Sequence, residues 1–395
     1  MTLRLPRTTT LAGAGLTAAA LLLTACGGGS TTADPAPDNV APVAPAASGA
    51  PAAAGSAVNY AGTLREPAAT ARAAAKDKKI VIISAGQASI SSSVPVAAAK
   101  EAAEAAGWQT DVYDVQLNPA NAPGLVRQAI ASGADGIILQ AVDCPGVKGP
   151  LQEAKAKGIQ VVGIYSFDCN DPVFKSSDPA LFSGAINYGA AAKAGIGDFT
   201  KKYGADQAKA VIAATGGKAK VVFFNSPTVT VLNYTGQGFK EEIAKCAECE
   251  IVEEVEFAGA ELGPNLQQKA TSALLQHPEA NAVKSPYTSA TLLGIAPAVV
   301  QSGRASKLYV MGGEGFAPEL DLLRAGQGVN AVNIAPSDWT GWAAVDTMNS
   351  LFTKAPVADS GLGWQLVDKA NNLTASGPFV PKVDFKATYK TAWGV

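Results

Sequence analysis

The segment from Ala134 to Asp168, ADGIILQAVDCPGVKGPLQEAKAKGIQVVGIYSFD, constrains the fold more than any other part of the chain. It reads as strand, helix, strand. Gly136–Leu139 and Val161–Ile164 are short runs, apolar throughout and bounded by turn formers. Between them Val147, Leu151 and Ala154 recur at helical spacing until Gly158. Strands that are apolar on both faces need cover on both faces, as parallel strands flanked by helices have. In such open sheets ligands bind beyond the carboxyl ends of the strands. Polar residues gather at those two ends: Gln140, Asp143 and Cys144 after the first run, then Tyr165, Ser166, Phe167, Asp168 and Cys169 after the second.

The same alternation extends in both directions. Lys79–Ser84 predicts a first strand, followed by a small polar loop with Gln87, Ser89, Ser91 and Ser92. Ser93 is placed to cap a helix over Val94–Ala106. A strand over Trp108–Val115 and a helix over Ala122–Ser132 come next, and beyond the central unit Leu181–Ile186 predicts a short strand and Ala190–Lys202 a helix. A second series starts at Lys220. Its strands are Val221–Phe224, Ile251–Phe257, Ala282–Ser285, Leu308–Met311 and Val329–Ile334, and its helices are Thr235–Lys245, Pro264–Gln276, Ala290–Ser302 and Pro318–Arg324. Ser337-Asp338 then caps a helix over Trp339–Phe352, with short segments around Trp364–Val367 and Phe379–Phe385 beyond it. Two successive strand–helix series predict an α/β protein of two Rossmann-like lobes with parallel sheets.

The N-terminus is of another kind. Arg4 and Arg7 precede an apolar stretch from Leu11 to Leu23, and Leu23-Thr24-Ala25-Cys26 follows. That is the layout of an export signal, and its end resembles the lipobox of bacterial lipoproteins. The expectation is removal of residues 1–25 and a lipidated Cys26 at the outer face of the cell membrane. Gly27-Gly28-Gly29-Ser30 suits a flexible tether. Residues 26–77 hold few large apolar side chains, so they are expected to form a disordered spacer, with the folded part starting near Lys78. A net charge of −2 and a charged fraction of 16% supply no basic face for nucleic acid. No apolar run beyond the leader approaches transmembrane length.

Four cysteines remain after Cys26 and allow three pairings. In an oxidising compartment disulfides are permitted. Cys144 and Cys169 follow the two strands of the opening unit, and Cys246 and Cys249 share a helix-to-strand turn, so these two pairs are expected. A redox-active Cys-x-x-Cys belongs at a helix N-terminus, and this one sits at a helix end. Zinc would require a second ligand pair, which is missing.

Four motifs carry a resemblance: Ser132-Gly133-Ala134-Asp135-Gly136-Ile137-Ile138, Ala156-Lys157-Gly158-Ile159-Gln160-Val161-Val162, Gly236-Gln237-Gly238-Phe239 and His277-Pro278-Glu279-Ala280-Asn281-Ala282-Val283. In this order and spacing the chain resembles the type I periplasmic binding proteins, in particular the ribose-binding-like substrate-binding proteins of ABC importers. The resemblance covers roughly Lys78 to Val395. It implies two lobes joined by a multi-strand hinge: residues 78–186 with 336–368, and residues 187–335 with 369–395. It also implies an extracytoplasmic monomer that captures a sugar or related polyol between the lobes and hands it to an ABC transporter permease. The alternatives are ligand sensing for a signalling partner, or an amine- or nucleoside-type solute. The chain departs from the sugar-binding pattern twice. Asn233-Tyr234-Thr235 stands where many members place an arginine, and Pro286-Tyr287 where many have Asn-Asp. Glu314 keeps the acid expected after the next strand.

The candidate ligand-binding set is Gln87, Ser89, Gln140, Asp143, Phe167, Asp168, Asn225, Asn233, Tyr234, Tyr287, Glu314, Asp338 and Trp339, with Trp342 nearby in the same helix. Acids, amides and aromatics without a placed arginine or lysine disfavour an anion. A neutral polyol stacked on a ring fits, as does a cation held by carboxylates and aromatic faces. Catalysis is not expected. His277 is the only histidine and lies in a family motif, so a Ser-His-Asp triad has no base, and no Gly-x-Gly-x-x-Gly follows a strand. No cofactor or metal is expected.

Overall fold

The computed structural model describes residues 58–68 and 70–395; the leader and Cys26 lie outside the described residues. Strands β1 (Lys79–Ser84), β2 (Gln109–Asp114), β3 (Gly136–Gln140) and β4 (Gln160–Ile164) form a wholly parallel sheet in the order β2-β1-β3-β4. Period-two alternation sends Ile80 and Ile82 to one face, against helix α1 (Ile90–Ala105). Val81 and Ile83 go to the other, against α2 (Ala122–Ala131) and α3 (Cys144–Ala156). Both faces are covered, as the unbroken apolar runs require. Cys144–Cys169 and Cys246–Cys249 are both bonded.

Local signals misplaced several boundaries, among them the start of the helix expected from Thr235, which begins at Thr230. Helix α1 follows Ser89 rather than Ser93, because Ser92, Pro95, Val96 and Ala99 bury one face against the sheet; packing outweighs capping preference. Leu181–Ile186 is not a strand. The Leu181 and Phe182 N–H groups donate to the Asp168 carboxylate, and Ser183 is bonded to Val161, so the segment runs irregularly beside β4. The next helix, α4, spans Ile196–Ala214 rather than Ala190–Lys202, since the chain turns through left-handed backbone at Gly189 and Gly195 before it.

The second sheet contains β5 (Lys220–Asn225), β6 (Glu250–Glu256), β7 (Ala282–Lys284), β8 (Tyr309–Met311), β9 (Ala331–Ile334) and β10 (Gln365–Asp368), ordered β10-β9-β8-β7-β5-β6. Only β10 is antiparallel to its neighbour. Helices α4 and α5 (Thr230–Ile243) cover one face. The other carries α6 (Pro264–Gln276) and the run α7 (Thr288–Ala290), a π turn at Thr291–Ile295 and α8 (Ala296–Gln301). Helix α9 (Ala317–Ala325) packs beside β9 and β10.

The C-terminal pieces lie the other way round from expectation. Gln365–Asp368, expected in the first lobe, is the edge of the second sheet. Helix α10 (Ser337–Phe352) returns to the first lobe, and α11 (Phe385–Trp393), expected with the second, packs against it. The cause is aromatic: Trp339 stacks on Phe385 with centroids 4.8 Å apart, and Trp342 on Trp393 at 5.5 Å.

The spacer is also shorter than its composition implies. Val58 and Tyr60 pack on the second-lobe core, and the Tyr60 hydroxyl donates to Asp368 at 2.6 Å. Arg65 pairs with Asp359 at 3.1 Å, and Arg72 with the buried Asp346 at 2.7 Å. The Trp108 indole N–H donates to the Ala75 carbonyl. A segment too poor in apolar residues for a core of its own is thus held by a few spaced anchors on cores made elsewhere.

Candidate functional site

The carboxyl ends of the two sheets face each other across a cavity of about 330 Å³. From the first lobe the loops after β1 to β4 bring Ser89, Ser91, Leu117, Gln140, Asp143 and Tyr165 to it. From the second, the loops after β5 to β8 bring Ser226, Thr230, Leu262, Tyr287 and Glu314. Three first-lobe loops enter it through non-glycine residues in the left-handed region: Leu117 (φ 57°), Ala141 (φ 50°) and Tyr165 (φ 53°). Such conformations cost on the order of 1–3 kcal/mol each and persist where the surroundings enforce them. On the opposite side Gly313 permits the loop after β8 to lie on the Tyr287–Thr288 backbone, since a Cβ there would fall 2.1 Å from the Thr288 nitrogen.

The lobes also touch directly at the cavity. The Thr230 hydroxyl donates to Asp143 Oδ2 at 2.6 Å, and the Ser89 and Ser289 hydroxyls are 3.1 Å apart. Asp143 occupies the N-cap position of α3 without capping it. Its second oxygen instead accepts the Phe167 N–H at 2.9 Å.

Of the expected ligand set, the structure brings together Ser89, Gln140, Asp143, Tyr287 and Glu314 at the cavity. The others do not line it. Gln87 donates to Ser84 at 2.7 Å. Asp168 spends its carboxylate on the N–H groups of Cys169, Leu181 and Phe182, bracing the loop that replaces the expected strand. Phe167 is buried and stacks on Tyr234, whose hydroxyl donates to Asp171 at 2.6 Å; this pair clamps the lobes outside the cavity. Asn225 and Asn233 line a separate shallow groove with Lys240 and Glu241. Asp338 stands in the first turn of α10, while Trp339 and Trp342 are completely buried in the core. An acid after a strand can brace the next loop as readily as face a ligand, and sequence spacing does not separate the two. Tyr165, Ser226 and Thr230 are the additions that strand-end reasoning alone would have reached.

Burial raises both carboxyls of the cavity, Asp143 and Glu314, above the ordinary range; hydrogen bonds from Thr230 and Phe167 oppose this at Asp143, and the Thr288 N–H, 2.5 Å away, opposes it at Glu314. Behind Glu314 lies Glu319, which accepts the Gly313 and Gly315 N–H groups at 2.7 and 2.9 Å and the Thr288 hydroxyl at 2.5 Å. Burial pulls the Lys284 ammonium in β7 down to about 7, although Glu319 and Glu314 pull it the other way. Between that value and the ordinary lysine pKa the unfolded chain binds a proton that the folded chain does not, so stability rises with pH across this window. The expected contribution is about 1 kcal/mol per pH unit. Denaturant unfolding at intervals from about pH 7.5 to about pH 9 should show this slope, and Lys284→Met should flatten it. An unchanged slope in Lys284→Met would assign the dependence to other groups.

With two α/β lobes closed on a polar-floored cavity, the architecture is that of a type I periplasmic binding protein. Residues 80–355 match the periplasmic binding protein domain family, and the chain belongs to it. This is a family of extracytoplasmic, non-enzymatic solute-binding proteins, and among the described residues no helix is long and apolar enough to cross a membrane. No curated protein matches the chain in sequence. Among solved structures it is similar to an ABC transporter solute-binding protein from Agrobacterium vitis bound with α-D-tagatopyranose (TM-score 0.64, 19% identity, 76% of this chain and 97% of that one). It is also similar to the 5-methylthioribose transporter solute-binding protein from Thermotoga lettingae (TM-score 0.63, 17% identity, 82% and 99%). A third is the glucose-galactose binding protein from Geobacillus stearothermophilus (TM-score 0.61, 20% identity, 75% and 99%). At these identities the likeness is one of fold.

Proposed function

We propose that the chain is a lipid-anchored receptor, tethered through Cys26, that binds a neutral sugar-like or polyol solute in the interlobe cavity and delivers it to an ABC transporter permease. The observation that carries the solute class is the chemistry of the cavity. Its floor offers carboxyl, hydroxyl, phenol and amide groups, and no lysine or arginine is among the lining residues. Anions therefore meet no charged donor. A cation is not called for either, because Asp143 is already supplied with donors from Thr230 and Phe167, and Glu314 by Thr288. Structural neighbours that bind glucose-galactose or hold α-D-tagatopyranose agree with this reading. Closure follows from groups on both lobes that meet the ligand better in the closed state than in the open one.

Calorimetric titration of a panel of sugars, polyols, nucleosides and amines tests the solute class, and Glu314→Ala tests the site. Loss of one buried hydrogen-bonded carboxyl should cost about 1–3 kcal/mol, roughly tenfold to a hundredfold in affinity. Saturable binding only to amines or nucleosides would defeat the polyol reading. Release of the chain from membranes by Cys26→Ala would support the anchor, and retention would defeat it.

A further inference from the structure

Polar and apolar residues both line the cavity, and buried Val115, Val142, Val147 and Leu232 stand among the polar groups of its interior. Its interior contains Ser226, completely buried, Gln140, nearly so, and Ser89. The Ser226 hydroxyl has no hydrogen-bond partner among the described residues. A buried hydroxyl left unsatisfied is costly, so one that faces a cavity marks where a ligand group belongs. The exposed part of the lining is mostly aliphatic, with Thr228 beside it. Leu117 is 46% exposed, Pro119 is exposed, and Val229, Val231 and Leu262 are half-buried. All five line the same cavity, two on the first lobe and three on the second, where Val231 lies in the first turn of α5. Leu117 is held there in left-handed backbone, where a side chain is disfavoured.

An unsubstituted monosaccharide carries hydroxyls around its whole rim. Turned into this site, some would satisfy Ser226, Gln140 and Glu314, and the rest would lose water against aliphatic carbon with nothing to replace it. A ligand matched to the site has hydroxyls at one end and hydrocarbon at the other. We propose that the solute is a sugar or polyol bearing an apolar substituent, an alkyl, alkylthio or aryl glycoside-type molecule, with its hydroxylated end toward Ser226 and its apolar group between Leu117 and Leu262. This rests on the solute-binding reading of the cavity and narrows its ligand class.

The test compares matched pairs on the full chain with its disulfides intact: free hexoses and pentoses against their methyl, butyl and phenyl glycosides in both anomeric forms, by calorimetry. For at least one pair the substituted member is expected to bind tenfold or more tightly than the free sugar. Leu117→Ser and, separately, Leu262→Ser should reduce that ratio to below threefold, while Ser226→Ala should weaken both members alike by roughly tenfold. Circular dichroism confirms that each variant is folded, and two independent rim variants guard against one that is not. Equal or tighter binding of every free sugar overturns this inference alone and leaves the polyol reading intact. A ratio unmoved by both rim variants also overturns it. Binding of no sugar in either form overturns the polyol reading and this inference with it.

Discussion

Gly238→Ala should lower the stability of the protein by about 3 kcal/mol or more, at the upper end of what overpacking costs. Gly238 lies on α5 where that helix meets α4, and a Cβ at its position would fall 1.8 Å from the Lys201 carbonyl oxygen. The contact is reciprocal. A Cβ on Gly204 of α4 would fall 2.0 Å from the Thr235 carbonyl oxygen of α5. Backbone on both sides leaves no flexible side chain to move aside, so the helices must separate. Separation opens the cluster of Val211, Phe223, Phe239 and Ile243 beneath them. At roughly 2–4 °C per kcal/mol the melting temperature should fall by about 6–12 °C. Gly204→Ala should do nearly as much, and the double variant less than the sum, because the first substitution already parts the helices. A melting temperature of Gly238→Ala within about 2 °C of the parent would show that the two backbones are not in contact.

Replacing Cys144 and Cys169 together by alanine should cost about 3.5 kcal/mol, from the loop entropy returned to the unfolded chain. The bridge spans 25 residues of sequence and is completely buried between the start of α3 and the end of β4. It has a second consequence. The Cys144 N–H donates to the Phe167 carbonyl at 2.9 Å, and the Phe167 N–H donates to Asp143, so the bond holds a cavity carboxyl in place. The double variant should therefore melt about 10 °C lower and also bind its solute more weakly. The half-buried pair Cys246–Cys249 joins residues only three apart in sequence and should matter far less. Calorimetry of the two double-alanine variants side by side is the check; equal melting temperatures would contradict the loop argument.

Much of the fold was legible because parallel strands buried on both faces leave a distinctive trace. Gly136–Leu139 and Val161–Ile164 announced themselves by being apolar throughout, and polar residues after them line the cavity. Helices with clear stops, such as Pro264–Gln276, were equally plain. Cys144–Cys169 followed from placing cysteines at adjacent strand ends, and Cys246–Cys249 from their shared turn. In each of these cases the signal is local: a periodicity, a breaker, a short spacing.

What the tertiary structure decided is how distant pieces share the same polar groups. Asp143 and Asp168 both follow first-lobe strands, yet the first faces the cavity and the second braces Leu181 and Phe182, a difference set by which backbone N–H groups lie within reach. Trp339 looked like a stacking platform until α11, 46 residues further on, supplied Phe385 to cover it. The strap from Val58 to Ala75 was unreadable for the same reason, since its anchors Tyr60 and Arg72 find partners at Asp368 and Asp346. By itself the sequence determined the two α/β series, the strand ends that meet at the cavity and the disulfides, because each is written in neighbouring residues. Which acids and aromatics reach the cavity was decided only by packing between segments that are not neighbours in sequence, where every buried polar group must find its partner.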